Sequence, residues 1–525
     1  MAMADCDVVI AGGGHNGLVC AAFLTLHGLK TIVVERNDWI GGGAVTREIT
    51  LPGFKHDLFG ASHIWCQVNP DYVNTLRPQL EKFGLKYLWS EDVITGHPMA
   101  EGPGIILFKS LDKTCDSIAQ YSKKDAQRYR EIAEEFVEIK DGFIKNFFSP
   151  PLPPSMQAMA MEKSEEGLRR LREYSLSTRA FVEENFENIY VQAFVHGWAM
   201  GPHVKPDHEG MGATFYIMVP AVHYYGQAIP EGGSMQLPLA CRRLVEHHGG
   251  KVLTNSTIGQ FIIADGECKG VRLEDGTEIL GRRAVVTALD PKQTFLQLID
   301  GRHLDAKFRR MVENFKFGDI GIFRVHYAVK EAPQFKHGAQ MSSAPFHRIF
   351  GPIKEVVKHF AEVEMGELPS EPFIHSLCWT VRDPTRAPQG RHCLTIDTFP
   401  PCELSRNRRW DDVKEEFGRT MLNQLRRHTT NMGDDNILAY TIHTPEDLYA
   451  HNRSFFKGSP TGGERVAAQL GYFRPFPGYS QYRSPIKKLY MAGPSCHPGG
   501  GISAMGTITA NVILEDLGLK ESSDL

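Results

Sequence analysis

The sequence predicts an α/β protein in which one sheet is assembled from both ends of the chain. Residues 7–36 are patterned as strand, helix and strand, residues 227–300 return to short strands around a helix, and residues 488–517 add a last strand and helix. Short apolar runs such as Val8–Ala11 and Ala284–Thr287 are typical of parallel strands buried on both faces. We therefore predict one discontinuous domain, with the rest of the chain inserted into it.

The first unit carries a nucleotide-binding pattern. Gly12, Gly14 and Gly17 follow the first strand and match GxGxxG. Gly12 permits a tight turn, Gly14 lets a pyrophosphate approach the backbone, and Gly17 lets the next helix pack closely on the strand. The N-terminus of that helix offers free N–H groups to phosphates, and Glu35, at the end of the second strand, is placed to accept hydrogen bonds from a ribose. This order of elements predicts a bound dinucleotide, with a ligand-free glycine turn as the alternative.

Two further glycine loops favour FAD over NAD. IGGGAVT (40–46) directly follows the second strand, where flavoproteins of the glutathione-reductase type pass a glycine pair under the cofactor. The alternative there is a flexible surface loop. HPGGGISAMG (497–506) holds three consecutive glycines, which cost backbone entropy and let a flavin ring lie directly on the backbone. We predict a helix over Ile502–Leu517, whose N-terminus would face the flavin edge that becomes anionic on reduction.

Composition argues against several other classes. The formal charge of −4 gives no general affinity for nucleic acid. The apolar stretches fall short of the roughly 18 residues that span a bilayer, and an acid stands near the start, where a secretory signal carries basic residues. The ten cysteines show no CxxC spacing, so neither a zinc site nor a dithiol pair is predicted. We expect a cytoplasmic protein with no metal site and no nucleic-acid partner.

The middle of the chain predicts two inserted parts. Ser117–Phe148 is patterned as one long amphipathic helix, interrupted in its second turn by Asp125, and helical pattern continues to Trp198. This predicts a helical cap, with contact to a membrane or an entry tunnel as an alternative use of its apolar face. Residues 318–445 hold longer alternating strands, which suit a mixed or antiparallel sheet. The predicted division is a nucleotide domain at 1–95, 225–300 and 480–525, a cap at 96–224 and a substrate domain at 301–479.

Motifs along the whole chain resemble the phytoene desaturase-like flavoproteins, which include carotenoid desaturases, desaturase-type carotene ketolases and retinol saturases. The motifs that carry the resemblance are GGGHNGLVCAAFL (12–24), VVERNDWIGGGAVT (33–46), LDKTCDSIAQYS (111–122), IPEGGSM (229–235), DPTRAPQGRH (383–392), TPEDL (444–448), RPFPGYSQYRSPIKKLYMAG (474–493) and HPGGGISAMG (497–506).

The resemblance implies a glutathione-reductase-like, Rossmann-type FAD domain, an inserted substrate domain of mixed sheet and a helical cap. The residues expected to contact FAD are Gly12, Gly14, Asn16, Gly17, Glu35, Arg36, Gly41, Gly42, Ile258, Gly493, Gly500, Gly501 and Ile502. One position departs from many related flavoproteins: Pro494 stands where they carry an acid after the last strand. This puts the ribityl contacts in doubt.

The same resemblance implies hydride transfer to FAD with desaturation of an isoprenoid, polyene or cyclic substrate. Ketolase-type oxygenation and double-bond saturation are alternatives, as is a non-catalytic flavin-bearing interaction protein. A pyridine-nucleotide disulfide reductase is disfavoured, because no cysteine pair follows the first unit and no second GxGxxG is present.

The candidate catalytic residues are His63, His223 and Tyr224, because desaturation needs a base for the proton lost beside the departing hydride. The region around them is rich in polar groups, including His196, His203 and His208. An apolar or partly polar small molecule is therefore the expected substrate. The expected electron acceptor is oxygen or a quinone. Peripheral membrane contact and the oligomeric state are left open.

Overall fold

The computed structural model describes residues 6–90, 92–199 and 204–520. Two seven-stranded sheets dominate the described part, accompanied by two short two-stranded sheets. The strands are β1 (Cys6–Ala11), β2 (Thr31–Val34), β3 (Thr46–Glu48), β4 (Lys55–Asp57), β5 (Tyr87–Trp89), β6 (Val93–His97), β7 (Ile105–Phe108), β8 (Ala228–Pro230), β9 (Lys251–Leu253), β10 (Ile258–Ala264), β11 (Glu267–Leu273), β12 (Glu278–Thr287), β13 (Phe323–Val329), β14 (Phe346–Ile349), β15 (Ile374–Leu377), β16 (His392–Thr398), β17 (Ile437–His443) and β18 (Leu489–Met491).

The helices surround these sheets and form a cap beside them. They are α1 (His15–Leu26), α2 (Arg77–Lys82), α3 (Leu111–Ala119), α4 (Lys123–Phe147), α5 (Pro154–Met161), α6 (Glu165–Ser175), α7 (Thr178–Asn185), α8 (Ile189–Ala199), α9 (Met218–Tyr225), α10 (Gln236–His247), α11 (Ala306–Asn314), α12 (Ala339–Ser342), α13 (Ile353–Glu364), α14 (Trp410–His428), α15 (Pro445–His451) and α16 (Gly506–Asp516).

The first sheet is the predicted discontinuous one. Its order is β10-β11-β12-β1-β2-β9, with β18 beside β12. β1 runs parallel to β2 and β12, β2 runs parallel to β9, and β12 runs parallel to β18, whereas β10, β11 and the start of β12 form an antiparallel extension. α1 packs against α16 and α10, so the first and last helices of the chain share one core with these strands. The α/β fold class and the Rossmann-type sheet are confirmed.

The second sheet has the order β17-β13-β16-β15-β14-β6-β7 and is mixed, because β14 pairs with β6 in parallel. One of its faces is apolar and is covered by α14, where the ring of Phe323 lies 5.0 Å from that of Phe417. The other face carries charged and polar residues and is turned toward the first sheet and the cap. The division of the chain into three domains stays a prediction.

Three local predictions were wrong. The long helix predicted over Ser117–Phe148 is two helices, because Ser122 caps a new helix by accepting the N–H of Asp125. Asp125 interrupts the apolar stripe, which predicted a less buried start of the helix, yet its side chain is buried. Its carboxylate accepts the N–H groups of Glu187 and Asn188 at 2.9 Å each. The last helix begins at Gly506 and not at Ile502.

Candidate functional site

A cleft of about 1180 Å³, including its open mouth, lies at one edge of the first sheet. The residues that line it follow the carboxyl ends of neighbouring parallel strands: Gly12 follows β1, Glu35 follows β2, Ser256 follows β9, Ala288 follows β12 and Pro494 follows β18. Parallel α/β sheets bind ligands at this edge, where strand order reverses. The discontinuous sheet therefore builds the cleft from both ends of the chain.

The first glycine loop forms part of the cleft wall, and its backbone is packed so closely that side chains on two of its glycines would collide with their neighbours. A Cβ atom on Gly17 would lie 2.4 Å from the carbonyl oxygen of Gly12, and one on Gly13 would lie 2.8 Å from Cβ of Glu35. The helix that follows, α1, is preceded by Gly14, which has no side chain to cap the first N–H groups. Those groups are left for an anionic ligand, which a helix N-terminus attracts.

Glu35 is held in place by two backbone donors. Its Oε2 accepts the N–H of Gly13 at 2.9 Å, and its Oε1 accepts the N–H of Asn37 at 2.9 Å. Burial raises the pKa of the Glu35 carboxyl, although both N–H groups oppose the shift. The carboxylate lines the cleft with remaining acceptor capacity, as a ribose-binding residue requires.

His15 connects the glycine loops from the two ends of the chain. Its Nδ1 lies 3.3 Å from the carbonyl oxygen of Gly41, and its Nε2 lies 3.3 Å from that of Gly501. The loop at Gly41 is itself fixed to the first loop, because the Gly41 N–H donates to the Gly13 carbonyl at 2.8 Å. Burial lowers the pKa of His15, so the neutral ring donates one N–H at a time. All three glycine loops thus converge around one imidazole.

The cleft contains most, though not all, of the residues expected at FAD. Those that line it are Gly12, Gly14, Asn16, Gly17, Glu35, Arg36, Gly42 and Ile258. Those that are not among its lining residues are Gly41, Gly493, Gly500, Gly501 and Ile502. Gly41 and Gly501 are tied to the cleft through His15, whereas Ile502 packs near Gly60, where a Cβ would lie 2.7 Å from the Ile502 side chain. The assignment of FAD contacts to individual residues stays a prediction.

Sequence reasoning missed one wall of the cleft. Asn452, Arg453, Ser454 and Phe455 line it, and they follow α15 in the segment predicted as the substrate domain. No glycine pattern marks this segment. Its only local signal is the TPEDL motif, in which Thr444 and Asp447 form a capping box that starts α15.

The residues present fit a flavin dinucleotide. The glycine loops leave backbone exposed, Glu35 suits a ribose, and the guanidinium groups of Arg36 and Arg453 line the same cleft as counterions for phosphates. Oδ1 of Asn16 is buried in the cleft wall without a hydrogen-bond partner among the described residues. Such an orphaned acceptor is expected where a ligand completes the network.

The three catalytic candidates do not form one cluster. His63 is fully buried, with Nδ1 3.2 Å from the Tyr87 hydroxyl and Nε2 3.2 Å from the Ser234 hydroxyl. His223 lies elsewhere, with Nε2 2.8 Å from the Tyr129 hydroxyl. Burial lowers the pKa of His63 well below its usual range and that of His223 to about 4, so both rings are neutral near pH 7.

Tyr224 differs from the two histidines because it is 51% exposed, with the Lys140 ammonium 5.1 Å from the centre of its ring. His203 lies outside the described residues. His196 and His208 bond to Thr178 and to the Arg465 carbonyl, respectively. The catalytic assignments stay predictions.

The second sheet contributes a set of residues that sequence reasoning did not single out. We call it the polar face and define it as Arg324, His326, Arg348, His375, Asp397 and His443. Four direct cross-strand partnerships place five of them in one row: His443 with Arg324, Arg324 with Asp397, Asp397 with His375, and His375 with Arg348. Residues directly opposite each other on paired strands project from the same face of a sheet.

The polar face approaches the cleft through a single residue. Arg324 Nη1 donates to the carbonyl oxygen of Phe59, whose ring lies 4.7 Å from that of Phe455 in the cleft wall. A small cavity lies beside this contact and is lined by His56, Asp57, Arg324 and Arg386, among others. The polar face and the FAD cleft are therefore separated by one layer of side chains.

A buried ion network at the same place joins β4, the turn after β8 and the segment between β15 and β16. Arg386 is 1% exposed and donates to the carboxylates of Asp57 and Asp383 and to the Pro230 carbonyl. Asp57 in turn accepts the N–H of Ser234, and Asp383 accepts the N–H of Gly232. The DPTR motif and the IPEGGSM motif thus meet in three dimensions beside β4.

Other kinds of site are not found in the described ranges. No group of three or more His, Cys, Asp or Glu residues is arranged to hold a metal ion. All ten cysteines are buried and unpaired. No helix in the part of the chain that the structure describes is long and apolar enough to cross a membrane.

Comparisons with known proteins agree with this site. Residues 10–76 match the model of an NAD(P)-binding Rossmann-like domain. The chain is 28% identical to one of the subunits of limonene dehydrogenase from Castellaniella defragrans, over 98% of this chain and 95% of that protein. It is 28% identical to pyridine nucleotide-disulfide oxidoreductase domain-containing protein 2 of Rattus norvegicus, over 97% and 94%. It is 25% identical to a lycopene-forming phytoene desaturase of Pseudescherichia vulneris, over 97% and 99%.

Solved structures support the same fold. An oxidoreductase from Methanosarcina mazei superimposes with a TM-score of 0.62 at 16% identity, covering 98% of this chain and all of that one. Putrescine oxidase with bound putrescine gives 0.62 at 14% identity, covering 98% and 99%. The cofactor that fits the cleft and these relationships is FAD. Over almost its whole length the chain is therefore similar to phytoene desaturase-like FAD-dependent oxidoreductases.

Proposed function

We propose that this protein dehydrogenates an organic small molecule at two adjacent carbons and so forms a conjugated C=C bond. The observation that carries the proposal is the cleft built from three glycine loops and Glu35, together with the second sheet, whose Arg324 contacts the cleft wall through Phe59. Bound FAD supplies the hydride acceptor for such a reaction. Similarity over the full chain to a limonene dehydrogenase subunit and to phytoene desaturases supports an isoprenoid or cyclic substrate.

The chain itself contributes binding, exclusion of water and a proton acceptor. Glu35 and the first glycine loop hold the dinucleotide part, and His15 holds the N-terminal and C-terminal loops together. His63 is buried beside Ser234 and can accept a proton on a ring nitrogen only if one of its two hydroxyl partners donates elsewhere. Proton removal beside the departing hydride requires an unprotonated base, and a neutral imidazole is one.

The test is anaerobic reduction of the bound flavin by a panel of carotenoids, retinoids, terpenoid ketones, terpenoid acids and cyclic ketones. We expect at least one class to bleach the flavin, and mass spectrometry of the product to show the loss of two hydrogens. A product that has gained oxygen would instead indicate ketolase-type chemistry. Retention of FAD without reduction by any class would contradict dehydrogenation and favour a non-catalytic flavin-bearing interaction protein.

The catalytic candidates are tested with the substrate found in that panel. If one of His63, His223 and Tyr224 is the base, His63→Gln, His223→Gln or Tyr224→Phe should keep FAD yet slow flavin reduction about a hundredfold. We expect Tyr224→Phe to have the smallest effect, because half of its side chain is exposed. Near-parental rates in all three variants would remove these residues as candidates.

A further inference from the structure

The row of five residues on the polar face holds more positive than negative charge. Arg324 and Arg348 are guanidinium groups, Asp397 is the one carboxylate in the row, and the two histidines, His375 and His443, have pKa values lowered by burial. All five are at most 9% exposed. A buried charge is costly unless an opposite charge and hydrogen bonds compensate for it.

The one carboxylate in the row contacts both of its neighbours, and at longer range it also raises the pKa of Arg348 against the effect of burial. Asp397 Oδ2 lies 2.9 Å from Arg324 Nη2, and Oδ1 lies 2.9 Å from His375 Nδ1. Beyond Arg324 lie Arg386 and its two carboxylates, so this end of the row is the more acidic one. The excess positive charge therefore lies at the other end, on Arg348.

Arg348 has no carboxylate within 4 Å among the described residues. Its Nη1 donates to the carbonyl oxygen of Gly197 in α8, and its guanidinium lies 4.5 Å from the Trp198 ring and 4.9 Å from the Phe346 ring. Burial lowers its pKa to about 9. A guanidinium without a carboxylate, enclosed by aromatic rings, is poorly compensated for a purely structural group.

Unpartnered polar atoms surround this guanidinium. Nε of Arg348, Nε1 of Trp198 and Nε2 of His375 are buried without a hydrogen-bond partner among the described residues. His375 directly opposes Arg348 on the neighbouring strand, and Trp198 stacks on it, so the three atoms belong to one location. Because His375 Nδ1 donates to Asp397, its Nε2 is an acceptor, whereas Nε of Arg348 and Nε1 of Trp198 are donors. Buried donors are normally satisfied, and these two unsatisfied donors indicate that a ligand supplies the acceptor.

The side chains around His375 indicate the chemical character of the rest of the ligand. The His375 ring is bordered by three phenylalanines, with ring centres 5.2 Å away for Phe346, 5.5 Å for Phe350 and 5.3 Å for Phe399. These rings favour an apolar body, whereas a guanidinium binds a carboxylate through two parallel hydrogen bonds.

We propose that Arg348 anchors the carboxylate of the substrate, and that the substrate is an apolar, isoprenoid- or acyl-like molecule ending in that group. This inference rests on the proposed function and deepens it, because it names the polar end of the molecule that is dehydrogenated. Arg348 determines specificity and takes no part in bond breaking. The apolar body lies against the phenylalanine rings that border His375.

The experiment uses the FAD-loaded protein and two pairs of probes that differ in charge: citronellate with methyl citronellate, and decanoate with methyl decanoate. Binding is followed by perturbation of the flavin absorbance and by calorimetry. We expect each carboxylate to bind about tenfold to hundredfold more tightly than its ester, the range expected for a hydrogen-bonded charge. Arg348→Met should abolish the preference without changing FAD content, Arg348→Lys should restore part of it, and the surface control Arg309→Met should leave it intact.

Equal binding of acids and esters, or no binding of either acid, would overturn the proposal.

Thermal melting adds a test without ligand. Arg324→Met leaves Asp397 without its guanidinium partner and should lower Tm, whereas Arg348→Met should melt at the same or a higher temperature. A loss of Tm in Arg348→Met as large as that in Arg324→Met would assign Arg348 a structural role instead. Failure to bind FAD would refute the proposed function itself, whereas FAD binding without acid preference would refute this inference alone.

Discussion

The FAD cleft and the polar face are neighbours that are built on opposite principles. The cleft is made largely by backbone, at glycine turns where side chains would collide, and each of its loops is contiguous in sequence. The polar face is made by side chains from five strands between Arg324 and His443, each contributing one or two residues. Backbone geometry suits a ligand shared by many proteins, whereas under our proposal for Arg348 the specificity for one substrate resides in side chains that strand register brings together.

The largest effect is expected in the cleft, from Gly14→Val. The isopropyl group would occupy the space of a pyrophosphate, while the fold is retained because a Cβ at this position contacts nothing closer than Gly42 Cα at 3.8 Å. FAD content should fall below about a tenth of the parental value, measured by absorbance after heat release. Gly142→Val, in open space on α4, is the matched control. Equal FAD content in both variants would show that the fingerprint does not bind the cofactor.

Arg386→Met tests the connection between the two regions. It would leave the carboxylates of Asp57 and Asp383 buried without their shared cation. The free energy of unfolding should fall by about 3–5 kcal/mol, as for other broken buried ion pairs. Urea unfolding measures this change, and Arg309→Met at the surface is the control. A loss below about 1 kcal/mol would mean that other contacts compensate the two buried carboxylates.

Glu35→Gln is expected to have a smaller effect on the cofactor than Gly14→Val. The amide keeps the shape of the side chain and one acceptor, but it loses the charge offered to the ribose and turns an NH2 group toward the N–H of Gly13 or Asn37. The dissociation constant for FAD should rise about tenfold to hundredfold, since hydrogen bonds to charged groups contribute about 1.5–3 kcal/mol. Titration of the deflavinated protein with FAD measures it, beside the exposed control Glu313→Gln. An unchanged constant would place the ribose away from Glu35.

Acid should lower the free energy of unfolding, because His56 and His443 are buried as neutral rings. Burial lowers the pKa of His56 and of His443 to about 4 from a usual value near 6.5. A lowered histidine pKa contributes stability that is present above pH 6.5 and is lost as pH falls toward 4. The loss should be about 1–3 kcal/mol for each histidine, seen in urea unfolding at pH 7, 6 and 5. His443→Gln should reduce the slope, and an unchanged slope would exclude this residue as a contributor.

The smallest expected effect is that of reduced nicotinamides on the flavin. The chain has one dinucleotide fingerprint, and its cysteines are buried and unpaired, so neither a second nucleotide site nor a dithiol relay is provided. NADH and NADPH should fail to bleach the flavin anaerobically at a useful rate, with dithionite as the positive control. Rapid bleaching by either nucleotide would contradict this prediction and favour a pyridine-nucleotide disulfide reductase.

The strands and turns of the first unit were predictable because their signals are local. The apolar runs Val8–Ala11 and Ala284–Thr287 lie within β1 and β12 and end where these strands end, since such runs bounded by turn residues have few alternatives. The start of the last helix was not predictable from the glycines alone. It is set by contact with the first helix, where a Cβ on Gly506 would lie 2.1 Å from the Asn16 carbonyl oxygen.

The sequence by itself determined the α/β class, the discontinuous sheet and the residues of the FAD fingerprint, because glycine spacing and apolar runs act over a few residues. Tertiary structure alone decided that Asn452–Phe455 complete the cleft, that Tyr224 is half exposed, and that Arg348 is buried without a carboxylate close by. These features depend on cross-strand register and on packing between residues hundreds of positions apart. Pairings of that kind leave no periodic trace in a single sequence, since each strand contributes only one or two of the residues concerned.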